Sequence, residues 1–320
     1  MLILSALVAA KAAAEIPMKQ FQKKSIARAT AWLALAAVLA GCGGRKESEI
    51  GSPRDPLVVV VSPAQALAGS EASLRFIARE LSSRTGLTVV ARIAASPLDA
   101  VEQLGRRQAD AGILRLEEYL LAREAYGVVA ALQILHGNGQ ASYDGVILVR
   151  VSDPARTIQA LSGRKIAFVD PYSVSGFLLP ALRLIQAGVH VDAAFAGTHE
   201  QAIAALAKGE AVAAATYSDL AAGRRELRIL ARTGTIPNEP VVFRRGLSAD
   251  KREAVAAAFQ SLAGTAEGKR FLPAVGYITG LRPILGSEYD AVQDVLRAVG
   301  ASAYDMVPGG GAFRRLRKRP

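Results

Sequence analysis

Lys165-Ile166-Ala167-Phe168-Val169-Asp170-Pro171-Tyr172-Ser173-Val174-Ser175-Gly176-Phe177-Leu178-Leu179-Pro180 decides how this chain is read. Its first five residues are mostly apolar and β-prone, whereas Leu178, Leu179, Leu182 and Ile185 return at helical spacing up to Gly188. A strand therefore passes through a short loop into a helix N-terminus. Such an end presents N–H groups without intrahelical acceptors and the positive pole of the helix dipole. The hydroxyls of Ser173 and Ser175 add two more donors. The arrangement suits a tetrahedral oxyanion.

Outward from this loop, short apolar runs alternate with helical patterns. Leu57-Val58-Val59-Val60-Val61 reads as a strand buried on both faces. A helix capped by Ser70 and ended by Gly86 follows, then a strand over 87–93, a helix opening at Ser96-Pro97, a strand over 109–114 and a helix over 116–126. That alternation predicts an α/β fold with a parallel sheet covered on both faces. Strands at 128–135 and 146–151 flank Gly137-Asn138-Gly139, where the chain crosses into a second lobe. Thr198-His199-Glu200-Gln201 has the form of a capping box and opens a helix to Gly209. Thr235-Ile236-Pro237-Asn238-Glu239-Pro240 reads as the return linker, and Ser248 as the cap of a helix over 249–263. The expected division is lobe 1 over 57–142, lobe 2 over 143–234, a return to lobe 1 over 235–302, and a basic tail over 303–320. Two α/β lobes joined by two crossings enclose a cleft, where ligands of such folds bind.

The chain has 320 residues, 51% of them hydrophobic and 21% charged, and a formal net charge of +11, which describes a globular protein with a basic surface. Lys19, Lys23, Lys24 and Arg28 precede the apolar run from Ala31 to Gly41, which is too short to span a bilayer comfortably. Residues 1–41 read as a secretory signal, with Met18 where such a signal begins. Removing them takes five basic residues and one acid from totals of 39 and 28 and leaves +7. The single cysteine, Cys42, ends Leu39-Ala40-Gly41-Cys42. Residues 42–56 read as the single cysteine followed by a polar tether. Gly309-Gly310-Gly311 then detaches Phe313 to Pro320, whose basic residues read as a solvated terminus rather than a nucleic-acid surface.

The lipobox-like Leu39 to Cys42, the Asp170 to Gly176 loop, Gly197-Thr198-His199-Glu200 and Ile236 to Pro240 together resemble the phosphate/phosphite/phosphonate-binding family of ABC importer lipoproteins. The resemblance covers about residues 57–300 and implies a two-lobed periplasmic-binding-protein fold of type II. It also implies lipidation of Cys42, an inner-membrane ABC permease as partner, a periplasmic location on a lipid anchor, and a monomer. By the same resemblance Ser173, Ser175, His199 and the main chain at Val174 hold the oxyanion's oxygens. Tyr172, Gly176 and Glu200 complete the expected ligand-binding set, with Tyr172 and Glu200 read either as wall residues or as exposed ones. The family's loop usually carries Thr where this chain has Val174. An acid in amino-phosphonate binders is replaced by Val212, no aromatic stands near Leu114, and Pro97 occupies the place of a tyrosine. These departures point away from an aminoalkyl-phosphonate. Arg115, at a strand's carboxyl end, is read either as an extra cation or as a surface arginine.

Two other function classes use the same residues. Ser173 or Ser175 with His199 and Asp170 has the composition of a hydrolase triad, but no Gly-x-Ser-x-Gly elbow accompanies it. There is no Walker loop, zinc helix or cysteine pair, and three histidines leave little for metal chemistry. No cofactor is expected. A two-lobed lipoprotein that senses or assembles, with a different ligand, is the remaining alternative.

Overall fold

The computed structural model describes residues 45–298 and 300–317. The expected signal, Met18 and Cys42 lie outside the described residues.

The chain builds two sheets. In the first, β1 (Leu57–Val61), β2 (Val89–Ile93), β3 (Ala111–Ile113), β4 (Val129–Leu135), β10 (Pro240–Phe243) and β11 (Gly280–Pro283) stand in the order β11-β4-β10-β3-β1-β2. The second is ordered β7-β6-β8-β5-β9, from β5 (Ser142–Arg150), β6 (Lys165–Phe168), β7 (Asp192–Phe195), β8 (Ala213–Tyr217) and β9 (Leu227–Pro237). All five residues of β1 are buried, as a central strand flanked by parallel β2 and β3 requires. The sheets are mixed rather than parallel. β10 runs antiparallel to β3 and β4 because it re-enters from the second lobe, and β5 is antiparallel to β8 and β9.

Helices cover the sheets: α1 (Ser70–Thr85), α2 (Pro97–Gly105), α3 (Leu116–Tyr126), α4 (Leu179–Gln186), α5 (His199–Lys208), α6 (Ala249–Ala263), α7 (Ala266–Phe271), α8 (Asp290–Ala298) and α9 (Gly310–Arg317). Ser96 caps α2 by accepting from the Asp99 N–H at 3.1 Å, and Thr198 caps α5 by accepting from the Gln201 N–H at 3.1 Å. Ser70 is not a cap: Gly69, at φ 85, takes that position and Ser70 is the first helical residue.

The two crossings are strands rather than a loose linker. β5 and β9 pair from Ser142 opposite Pro237 to Arg150 opposite Leu227, so Thr235 and Ile236 belong to a ladder that leads almost directly into β10. Asn238 at the junction is buried and its amide donates to the carbonyls of Ile134 and Gln140. This doubled ribbon fixes where one lobe sits against the other.

Both chain ends differ from the sequence expectation. Residues 45–56 are packed, not tethering. Arg45 donates to Asp55 at 2.7 Å, Asp110 at 3.0 Å and the Pro56 carbonyl at 2.8 Å, while Ile50 is buried. Residues 303–317 of the tail are likewise ordered onto the first lobe. Phe313 is buried against Tyr126 and Tyr304, at ring separations of 6.0 and 5.9 Å. Gly310 approaches the Tyr304 carbonyl so closely that a Cβ would lie 2.2 Å from its oxygen, so this glycine packs the tail instead of freeing it. Arg317 stacks over Tyr126 at 4.3 Å and donates to the Ala125 carbonyl at 2.7 Å. Its replacement by alanine is expected to cost about 1 kcal/mol, the usual size of an exposed cation–π contact. Urea unfolding of the variant beside the parent measures this.

Candidate functional site

The strand-to-helix loop folds as a π-helical turn, Val174–Leu178, before α4 begins. The Ser173 carbonyl accepts from Phe177 and Leu178, at 3.1 and 2.9 Å, while Ser173 Oγ accepts from the Gly176 N–H at 3.0 Å. The N–H groups of Val174 and Ser175 precede any acceptor within the turn and are left for a ligand. Asp170 is spent locally: its Oδ1 accepts from the Tyr172 N–H at 2.7 Å. Val174, Leu178 and Leu179 join the same apolar cluster as Leu120, Ile236 and Tyr289, so the turn is seated on the first lobe's core while belonging to the second sheet. π-turns of this kind recur at functional sites because they widen the backbone locally.

A cleft of about 530 Å³ lies in front of this turn, and Ser173, Val174, Ser175 and His199 all line it. His199 opens α5, so two helix N-termini face one hollow. Its Nδ1 lies 2.9 Å from Thr216 Oγ1 and its ring stands edge-on to Tyr217 at 4.9 Å. With Nδ1 engaged by the buried Thr216 hydroxyl, Nε2 is the nitrogen left to serve a ligand. Burial holds His199 below its ordinary pKa, against the opposing pull of Glu200.

The other expected residues fall elsewhere. Gly176 is buried within the turn itself and does not line the cleft, and a Cβ there would sit 2.3 Å from Val169 Cγ2. Tyr172 lines a smaller adjoining hollow of about 130 Å³ with Pro97 and Asp170. Glu200 is exposed and does not line the cleft. Val212 packs in the second lobe's core.

The first lobe supplies groups that the sequence reading did not assemble. Arg115, the cap residue of α3, lines both hollows, and its Nε pairs with Glu117 Oε1 at 2.8 Å. The Glu117 carboxylate keeps that guanidinium firmly protonated. Burial pushes Glu117 up, with Arg115 opposing. Its neighbour Glu118 is pushed up to about 7, first by burial and then by the charge of Glu117. Glu118 is a structural acid: it accepts from Ser62 Oγ at 2.7 Å and from the Arg115 N–H at 3.0 Å. Tyr143 lies beside Ser175, and burial raises its phenol well above the usual range. Tyr217, Glu239, Gln65, His136 and Tyr277 also line the cleft. Tyr277, 62% exposed at φ 53, is held in a left-handed turn at the mouth.

The geometry defines a two-lobed α/β binding protein whose cleft opposes helix N-termini and hydroxyls to an arginine. The family model for the periplasmic substrate-binding protein of phosphonate ABC transporters matches residues 59–289, and the chain belongs to that family. The Phosphate-import protein PhnD of Mycolicibacterium smegmatis is 27% identical over 200 residues, which span 57% of this chain and 62% of that protein. Among solved structures, XAC2383 from Xanthomonas citri bound to ATP aligns with a TM-score of 0.63 at 17% identity, covering 76% of this chain and 96% of that one. PhnD1 from Prochlorococcus marinus in complex with methylphosphonate aligns with a TM-score of 0.59 at 17% identity, covering 76% and 98%. At such identities the structural matches establish the type II fold.

Proposed function

We propose that this chain captures a phosphonate, phosphite or phosphate in the cleft between its lobes and delivers it to an ABC permease of the inner membrane. The observation that carries the reading is the convergence of Ser173, Ser175, His199 and the free N–H groups of the π-turn on one wall, with Arg115 on the same cleft. Helix N-termini and an arginine fork match the charge and geometry of a tetrahedral oxyanion. The family assignment and the methylphosphonate complex of the Prochlorococcus marinus relative favour the same ligand class. The protein binds and releases without turnover: the His199 nitrogen that a triad acid would engage, Nδ1, lies against the Thr216 hydroxyl, and Asp170 Oδ1 accepts from the Tyr172 N–H.

Anchoring through acylated Cys42 in the cell envelope, with the lobes facing the periplasm, and a monomeric state complete the proposal. Labelled fatty acid should enter the wild-type protein and not Cys42→Ser. Light scattering should give one chain per particle.

Calorimetry of the unlipidated chain against phosphate, phosphite, methylphosphonate and 2-aminoethylphosphonate tests the ligand class, and silence across that panel would sink it. Proton linkage adds an internal check. In the empty cleft His199 titrates below its ordinary value of about 6.5, and a bound dianion favours the imidazolium and raises it. Between the two values binding takes up protons; above both it does not. Near pH 6 the wild type should therefore take up more protons per methylphosphonate than His199→Gln. The difference should vanish by about pH 8. Titrations in buffers of different ionisation enthalpy read this directly.

A further inference from the structure

The oxyanion-facing residues occupy only part of the cleft. Its first-lobe end is a contiguous patch: the Gly276 N–H donates to the Gln65 carbonyl at 2.8 Å, and His136 Nε2 lies 3.1 Å from the Gly276 carbonyl. Glu239 Oε2 is 3.5 Å from the same His136 nitrogen, too far for a hydrogen bond once that proton goes to Gly276. Five buried side-chain polar atoms lack a hydrogen-bond partner among the described residues, and two of them, Gln65 Nε2 and Glu239 Oε2, belong to residues lining this cleft. Gln65 is 5% exposed. One orphan is a donor and the other an acceptor. Buried polar groups are paired in native proteins as a rule, so a pair of orphans on one cleft wall marks where a ligand or its water completes the bonding.

From this we infer that the cleft takes a hydroxylated ligand, a hydroxyalkyl-phosphonate or the phosphate monoester of a small diol, with the free hydroxyl meeting Gln65 and Glu239. The inference rests on the oxyanion reading of the other end. A hydroxyl accepts from the Gln65 amide and donates to the Glu239 carboxylate at once. An ammonium brings donors only and leaves the amide unmet. A second carboxylate brings acceptors only and is repelled by Glu239, and a methyl leaves both atoms unpaired. The end wall is therefore complementary to a group that is both donor and acceptor.

The test is calorimetry of the full unlipidated chain with 2-hydroxyethylphosphonate, ethylphosphonate and 2-aminoethylphosphonate. The hydroxylated compound should bind about tenfold or more tighter than ethylphosphonate, the effect of satisfying two buried groups. In Gln65→Leu and in Glu239→Gln, assayed separately so that a folding failure of one leaves the other, the ratio of the two affinities should fall toward one. Equal binding of the hydroxylated and unsubstituted compounds by the wild type overturns the inference and leaves the oxyanion reading standing. So does tightest binding of the amine, which would assign the end wall to a cation. Failure of all three to bind removes the oxyanion reading and this inference with it.

Discussion

Asp110→Ala is expected to destabilise the fold by about 3–5 kcal/mol, the cost of leaving a buried charge without its partner. Asp110 is fully buried and Arg244 is 2% exposed; Arg244 Nε donates to Asp110 Oδ1 at 2.8 Å. Asp110 Oδ2 also accepts from the Val58 N–H and from Arg45 Nη1, both at 3.0 Å. The carboxylate thus ties β1, the start of β3, the end of β10 and the N-terminal segment to one point. Removing it strands the Arg244 guanidinium, with Glu47 as its remaining acid at 2.6 Å. Burial works against the Glu47 carboxylate, yet the hydrogen bonds from Arg244 and the Ser248 N–H hold it below its usual range. Urea unfolding at neutral pH measures the loss. The double variant Asp110→Ala/Arg244→Met should recover part of it, because an apolar pair avoids the desolvation of an unmatched charge. A loss below about 1 kcal/mol in the single variant would show the pair to be no stronger than a surface bridge.

That cluster also explains what the sequence left unread. Arg45 and Glu47 look solvated in a polar run, and their partners lie 65 and 197 residues away. Charge alone cannot distinguish a tether from a strap. The tail is illegible for a similar reason: consecutive glycines signal freedom, but Gly310 is needed for close approach to Tyr304. Periodicity performed better where burial is local. The continuous apolar run of β1, the helix over Leu116–Tyr126 and the cap at Thr198 were legible because hydrophobic spacing and capping chemistry are written in adjacent residues. The cleft divides along the same line. Ser173, Ser175 and His199 belong to short motifs and could be found. Arg115, Tyr143, Tyr217 and Glu239 come from the ends of separate strands and one helix, and only the strand order brings them together. A strand-end arginine was the one available signal among them, and the sequence could not tell a cleft wall from the surface.

Gly176→Ala should weaken methylphosphonate binding by about a hundredfold or more, although Gly176 itself does not line the cleft. A Cβ at this position would lie 2.3 Å from Val169 Cγ2, 2.6 Å from Val169 Cβ and 2.8 Å from Ser173 Oγ. Neither neighbour yields readily. Val169 is buried at the end of β6, and Ser173 Oγ is fixed by accepting from the Gly176 N–H at 3.0 Å. The turn must shift, and hydrogen bonds to an anion tolerate only a few tenths of an ångström before they weaken. Loss of two such charged bonds, at about 1.5–3 kcal/mol each, accounts for the expected fall in affinity. Overpacking should cost stability less, about 1–3 kcal/mol, so a folded variant remains available for titration. Ser175→Ala, which removes one hydroxyl and leaves the turn in place, should lose less affinity than Gly176→Ala. Adding Val169→Gly to Gly176→Ala removes the two closest contacts of the new methyl and should restore binding in part. A folded Gly176→Ala protein that keeps its affinity within about threefold would mean that the anion is not held by the amides of this turn.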